Sequence, residues 1–323
     1  MKIPEVVSVG EAFVDFVSSK PTRDLSTAQH FIKVAGGAPA NVAVGLARLG
    51  IRTAFVGKVG RDSFGRFVKN ELRCYGVDTK LMVDDLNYKT RLAFVAVTKN
   101  GGRDFEFWEK DPADQHLLKK EIDLDAVCRS VIINIGPFLL LNAEAKKCAF
   151  AIAQHALKRK KIVCFDPNIR ISLWNDPKEA VKSYREMIRY TTILRMNEDE
   201  AKLLVGTGNL KEAIYKLRSM GPQLVVVTRD KHGCTFATKE CVGEVMGFSV
   251  KAVDTVGCGD GFLAGLLAGI IRTKKQIEDL SRLELIEICR TANAVGALVA
   301  TKRGAIAAMP TMNQVNYFVR GQR

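Results

Sequence analysis

The sequence has little with which to bind a structural metal or cross-link itself. Its four histidines and eight cysteines (Cys74, Cys128, Cys148, Cys164, Cys234, Cys241, Cys258 and Cys289) form no C-x-x-C pair and no shared cluster. That spacing excludes a zinc framework and reads the thiols as small buried groups in a reducing compartment. No stretch approaches the roughly 18 consecutive apolar residues of a membrane span, and a strand-like run, Val6-Val7-Ser8-Val9, begins with no signal-peptide pattern before it. A soluble, cytoplasmic protein with no membrane partner is expected. Low-complexity linkers and internal repeats are also missing, so residues 1–323 are expected to form a single domain, and 47% apolar content is ample for one large core. Two common nucleotide motifs fail as well. Gly57-Lys58 lacks the preceding glycine of a Walker loop, and Phe262 stands where G-x-G-x-x-G needs its third glycine after Gly257 and Gly259.

Acidic residues are the minority charge: 35 Asp and Glu against 49 Lys and Arg leave a net +14. The basic runs Lys158-Arg159-Lys160-Lys161 and Lys274-Lys275 fall at helix ends or loops, where cations suit the helix dipole. A solvated face is therefore expected and no nucleic-acid partner, with part of the excess free to steer an anionic nucleotide.

What is present is alternation. Short apolar runs (Val6–Val9, Ala54–Val59, Val131–Ile135, Ile162–Phe165, Ile193–Met196, Leu224–Thr228) alternate with helical patterns (Ala40–Leu49, Phe64–Tyr75, Ala143–Leu157, Glu198–Val205, Leu210–Ser219, Phe262–Ile271, Leu283–Ala300). Strand then helix, repeated, predicts an α/β sandwich with a mostly parallel central sheet and ligands at the C-terminal strand ends. One region breaks the rhythm. Thr90–Thr98 and Arg103–Trp108, joined by Lys99-Asn100-Gly101-Gly102, read as a hairpin that can form a small sheet with the segment around Phe31–Val34.

The chemistry concentrates in Val253-Asp254-Thr255-Val256-Gly257-Cys258-Gly259-Asp260-Gly261, directly before apolar helical spacing at 262, 263, 266, 267, 270 and 271. Dense glycine before a helix N-terminus exposes backbone amides and makes an anion cradle that needs no lysine. Asp260 is either a cap of that helix or a base that takes a proton from a hydroxyl attacking a bound phosphate. A second segment, Gly36-Gly37-Ala38-Pro39-Ala40-Asn41, permits close backbone approach and leaves Asn41 near a helix start with its donors and acceptors free.

Val253 to Asp260 closely resembles the C-terminal signature of the ribokinase-like (phosphofructokinase-B type) carbohydrate kinases, DTxGAGD, with Cys258 in place of the usual alanine. Gly36 to Gly50 resembles the same family's N-terminal signature. The resemblance runs nearly end to end and is nearest to the fructokinase branch. It implies a ribokinase-like three-layer α/β sandwich whose small β-sheet, from segments around 12–34 and 88–110, is a lid. It implies an ATP-dependent sugar kinase with Asp260 as base, assisted by the Gly257, Cys258 and Gly259 amides. Asp15, Gly36, Gly37 and Asn41 would hold sugar hydroxyls. Arg170, in Asp166-Pro167-Asn168-Ile169-Arg170, is either a surface ion-pair residue or lies near the sugar or the phosphoryl group. Asn197 and Glu200 match the family's N-x-x-E, which organises waters of Mg2+; Thr228 and Gly233 would meet the nucleotide; Asn293, an exposed helical residue, would approach adenine. Asp254, with backbone around Val256 and Gly304, resembles a monovalent-cation (K+) site, and Ala308 stands where a ligand-bearing residue often sits. His232 reads as a turn residue.

Fructose is the sugar the resemblance implies, giving fructose 6-phosphate, and family members also form homodimers through the lid. A 2-keto-3-deoxygluconate kinase is the nearest rival; Glu109 stands where that group carries an arginine and would repel a sugar acid, and it departs in the same way from common fructokinases, where an arginine is frequent. Ribose, tagatose and nucleoside kinases are further alternatives. A non-catalytic sugar- or nucleotide-binding regulator on the same fold is the reading from another class.

Overall fold

The computed structural model describes residues 3–98, 103–108 and 110–321. The expected turn Lys99–Gly102 and the specificity position Glu109 lie outside the described residues. Thirteen strands form two sheets among the described residues. The larger has the order β13-β12-β11-β10-β9-β8-β1-β4-β5. These strands are β1 (Val6–Val9), β4 (Thr53–Gly60), β5 (Met82–Asp85), β8 (Ile132–Ile135), β9 (Ile162–Phe165), β10 (Ile193–Asn197), β11 (Leu224–Thr228), β12 (Cys234–Ala237) and β13 (Val242–Val245). All pairings from β5 to β11 are parallel, and only the β11–β12 and β12–β13 pairings at one edge are antiparallel, so β12 alone is reversed.

Among the described residues, ten α-helices flank this sheet: α1 (Ala38–Arg48), α2 (Ser63–Cys74), α3 (Leu124–Val127), α4 (Ala143–Lys158), α5 (Pro177–Ile188), α6 (Glu198–Val205), α7 (Leu210–Ser219), α8 (Cys258–Thr273), α9 (Arg282–Ala300) and α10 (Met312–Gly321). Because side chains alternate along a strand, Val6, Ile132 and Ile162 point into one buried cluster with α1, α8 and α9. Their neighbours Val7, Ile133 and Val163 point into the other, with α4, α5, α6 and α7. The result is the expected three-layer sandwich. None of the described helices is long and apolar enough to cross a membrane.

The smaller sheet has the order β3-β2-β6-β7, from β2 (Phe13–Ser18), β3 (Phe31–Gly36), β6 (Leu92–Val97) and β7 (Arg103–Phe107). The sequence reading anticipated three of these strands; β2 was hidden because Asp15 interrupts its apolar run. Helices α3, α5 and α10 also went unread: α3 is a single turn, and in α5 and α10 polar residues lie between the apolar ones (Ala180, Val181, Tyr184, Met187 and Ile188; Met312, Val315, Tyr317, Phe318 and Val319).

Candidate active site

Parallel strands bring their C-terminal ends to one end of the molecule, and the order of the sheet reverses between β1 and β8. Gly10-Glu11 leaves β1 there, Asp166 leaves β9, Asn197 ends β10 and Thr228 ends β11. Helices α1 and α8 pack side by side against this end; a side-chain carbon added at Gly45 would lie 2.6 Å from Ala264 Cβ.

Helix α8 starts at Cys258, four residues before the apolar spacing begins. The glycine run is therefore the first helical turn itself. Gly257, at φ +76°, is the N-cap, and no side chain caps the helix. The cap reading of Asp260 is removed, since it is the third helical residue. Its Oδ2 instead accepts a 2.7 Å hydrogen bond from Asn41 Nδ2 on α1. Asn41 is thus not free as the sequence suggested: its amide is used, and its buried Oδ1 is left without a partner among the described residues. Asp260 is 9% exposed. Burial pushes its carboxyl up to about 6, opposed by the Asn41 bond; Asp166 adds repulsion, while Arg195 and Arg170 favour the anion.

The amides behind this carboxylate differ by one residue from expectation. Cys258 N–H turns back to Thr255 O at 3.3 Å, whereas those of Gly257, Gly259 and Asp260 meet no acceptor among the described residues. The sequence reading also missed the cation beneath them. Arg195, buried in β10, donates from Nη1 to Asp166 Oδ2 at 2.7 Å and from Nη2 to Thr228 Oγ1 at 2.8 Å. A side-chain carbon at Gly259 would lie 2.7 Å from Arg195 Nη1, so glycine lets the guanidinium come up against the cradle. Burial opposes the charge on Arg195, but Asp166, Glu200 and Asp260 together hold it charged. The visible signal was a lone arginine inside the otherwise apolar strand Ile193-Leu194-Arg195-Met196.

In the small sheet, Asp15 lies in the middle of β2, opposite Val34 of β3, and does not end a strand. A side-chain carbon at Gly36 would run into the Asp15 carboxylate, so glycine leaves the space in which that carboxylate sits. Gly37, the N-cap of α1, rests against the Glu11 carbonyl.

The remaining residues divide. Asn197 and Glu200 cap one another: Glu200 N donates to Asn197 Oδ1 and Asn197 N to Glu200 Oε2, each at 2.9 Å, while Glu200 Oε1 accepts from Ile169 N at 2.7 Å. Burial raises the Glu200 carboxyl, and nearby Asp166 raises it further. Asn293 is buried, not exposed, and its Nδ2 donates to Val245 O and Met246 O. Gly233 is boxed in by the backbone of Val245–Gly247, which gives its glycine a packing reason. The Asp254 carboxylate accepts from Val256 N at 3.0 Å and Gly304 N at 2.9 Å, bringing together the three expected positions. Arg170 is exposed and acts on Asp260 only at a distance. His232 lies in a turn, as expected. The eight cysteines are all free thiols, but not all are buried as expected: Cys74 is exposed and Cys241 and Cys258 are half-buried.

No group of three or more ligating side chains that could hold a metal ion occurs among the described residues. Glu200 and Asp166, close enough that Asp166 raises the Glu200 carboxyl, are oxygen donors of the kind a hard divalent cation takes. Chemically, the site pairs a buried carboxylate of raised basicity with unpaired amides and a buried guanidinium, a combination able to move an anionic group onto a hydroxyl.

The family model described as pfkB family carbohydrate kinase matches residues 4–312. A probable fructokinase-4 of Arabidopsis thaliana is 35% identical over 317 residues, covering 98% of this chain and 97% of the plant protein. Among solved structures, a fructokinase from Xylella fastidiosa with bound ATP superposes with a TM-score of 0.90 at 28% identity, covering 99% of each chain. A fructokinase from Vibrio cholerae O395, bound to fructose, ADP and a calcium ion, gives a TM-score of 0.87 at 31% identity and covers 98% of this chain and 99% of that one.

Proposed function

The chain belongs to the pfkB family of carbohydrate kinases, and from that premise we propose that it is a fructokinase, transferring the terminal phosphoryl group of ATP to the terminal hydroxyl of fructose to give fructose 6-phosphate. The carrying observation is the Asn41–Asp260 contact, which joins the two glycine-rich segments into one site with a basic carboxylate at its centre. Asp15, over Gly36, accepts from sugar hydroxyls, and the backbone at Gly36 and Gly37 and the amide of Asn41 complete the cradle. Asp260 takes the proton of the attacking hydroxyl. The amides of Gly257, Gly259 and Asp260 face the charge that spreads over the transferred group, with Arg195 adding a fixed cation behind them. Cys258 holds the turn in shape, and Arg170 contributes positive charge at the cleft rim.

Thr228, Gly233 and Asn293 bear on the nucleotide by shaping the ends of β11 and β13, and Asn197 holds Glu200 in place. Glu200 would hold the waters of a bound Mg2+, whose charge would offset that of the nucleotide phosphates. Asp254 is retained as the K+ position, because its carboxylate gathers the backbone of residues 256 and 304 beside the cradle. The face of the small sheet that carries Asp15 also exposes Ile32 and Phe105, which supports a homodimer formed through this lid. The free thiols support a cytoplasmic setting.

The test is a coupled assay of ATP consumption with fructose, ribose, 2-keto-3-deoxygluconate and adenosine as acceptors. Highest kcat/KM with fructose is expected. A higher value with another acceptor reassigns the sugar, and sugar-bound protein without turnover turns the reading to a non-catalytic regulator.

A further inference from the structure

The small sheet joins the body at four places: residues 10–12 from β1 to β2, residue 37 from β3 to α1, residues 86–91 from β5 to β6, and between the end of β7 at Phe107 and the turn beginning at Ala113. Arg91 ends the third and Asp114 follows the fourth. Between them is an ion pair in which Arg91 Nε donates to Asp114 Oδ2 at 3.0 Å and Oδ1 at 3.2 Å. Both residues are 3% exposed. Backbone bonds tie the same place: Ala113 N to Lys89 O at 2.9 Å, Trp108 N to Leu92 O at 3.0 Å, and Val14 N to Arg91 O at 3.2 Å.

From this hinge a line of rings leads to the sugar side. The Arg91 guanidinium lies 4.9 Å from the Phe107 ring centre and 5.1 Å from that of Phe138. Phe13 stacks on Phe138 at 6.2 Å and meets Phe107 edge-on at 5.7 Å. The far edge of Phe13 lies 3.4 Å from where a Gly36 side-chain carbon would be, beside the Asp15 carboxylate. A buried ion pair gives little net stability compared with apolar groups of the same size. Here Arg91 Nη2 is also left without a hydrogen-bond partner among the described residues. The pair is thus a poor explanation for holding the fold and a good one for fixing an angle.

We propose that Arg91, held by Asp114, is a positioning residue of the sugar pocket: it sets the angle at which the lid sheet meets the body and, through Phe107, Phe138 and Phe13, the placement of Asp15 over Gly36. The proposal rests on the assignment of Asp15 and Gly36 to the sugar. Wild-type protein that phosphorylates no sugar refutes that assignment, whereas variants indistinguishable from an active wild type refute the hinge.

The experiment compares wild type with Arg91→Met and with Arg91→Met/Asp114→Leu, the latter leaving no unpaired buried charge. For each, KM for sugar, KM for ATP, melting temperature and the ratio of ATP hydrolysed to sugar phosphorylated are measured. Loss of the angle should raise sugar KM roughly tenfold to a hundredfold, leave KM for ATP within about twofold, and raise the hydrolysis ratio because the lid excludes water less well. The double variant should show the same split at a melting temperature close to or above wild type. A lowered melting temperature with sugar KM and hydrolysis ratio at wild-type values, or a double variant with wild-type kinetics, overturns the proposal.

Discussion

Asn41 and Asp260 stand 219 residues apart in sequence, yet one amide hydrogen of Asn41 rests on the Asp260 carboxylate at 2.7 Å. The bond sets two opposing effects against each other. Burial favours the protonated acid, while the donated hydrogen bond and the neighbouring arginines favour the anion, and the balance lies at about 6. Such a group is mostly ionised at neutral pH and remains more basic than an ordinary aspartate, which suits it to accept a proton during attack.

Replacing Asp260 with Asn should therefore abolish proton acceptance while preserving shape. We expect kcat to fall by about 10²–10⁴-fold or more, with both substrates still binding within a few-fold of wild type by calorimetry. In the wild type, kcat/KM should decline as pH drops through about 6, because the protonated carboxyl cannot act as base. Unchanged turnover in Asp260→Asn would remove the base from the mechanism.

Asn41→Leu takes away the hydrogen bond that favours the anion, so the Asp260 carboxyl should titrate above its wild-type position. The acid limb of the pH profile of kcat should then move to higher pH, and sugar KM should rise because the amide also faces the sugar. An acid limb that stays in place would show that the contact does not tune the base.

Arg195 separates charge from shape in the cradle. Arg195→Met alone would strand Asp166, so the informative variant is Arg195→Met/Asp166→Asn, which removes the charge of both members of that ion pair. Losing a fixed cation behind the transferred group should lower kcat by roughly 10–10³-fold with sugar KM nearly unchanged. Wild-type kcat in a well-folded double variant would reduce Arg195 to a structural role.

The sequence made the sandwich legible because parallel strands buried on both faces leave nearly continuous apolar runs, as in Val6–Val9 and Leu224–Thr228. It made the cradle legible because glycine density in residues 257–261 has few other uses. Strand β2 was obscured for the reason that makes it useful: a carboxylate sits in mid-strand. Arg195 was passed over since a single charge in a strand has no local pattern, and its partners Asp166 and Thr228 come from two other strands. Asn293 was misjudged because its carbonyl partners belong to a distant strand end. Position along a helix does not reveal which face another element covers.

Glu11 offers a test of burial that is independent of catalysis. Its carboxyl lies wholly inside, its Oε2 accepting from Phe138 N at 3.4 Å, and burial pushes it up to about 8, with Asp114 adding repulsion and Arg91 opposing. The folded protein therefore keeps a proton that the unfolded chain releases near 4.5. The stability this proton provides is fully present below that lower value and is lost as pH rises through about 8. Gln carries a similar shape without an ionisable proton, so Glu11→Gln should escape the loss. Relative to wild type, its melting temperature should gain steadily between about pH 5 and pH 8.5, by an amount equivalent to a few kcal/mol at most. Other titrating groups are common to both proteins and cancel in the difference. Scanning calorimetry of the two across that range decides it, since melting curves that stay parallel with pH would mean that Glu11 is ionised in the folded protein.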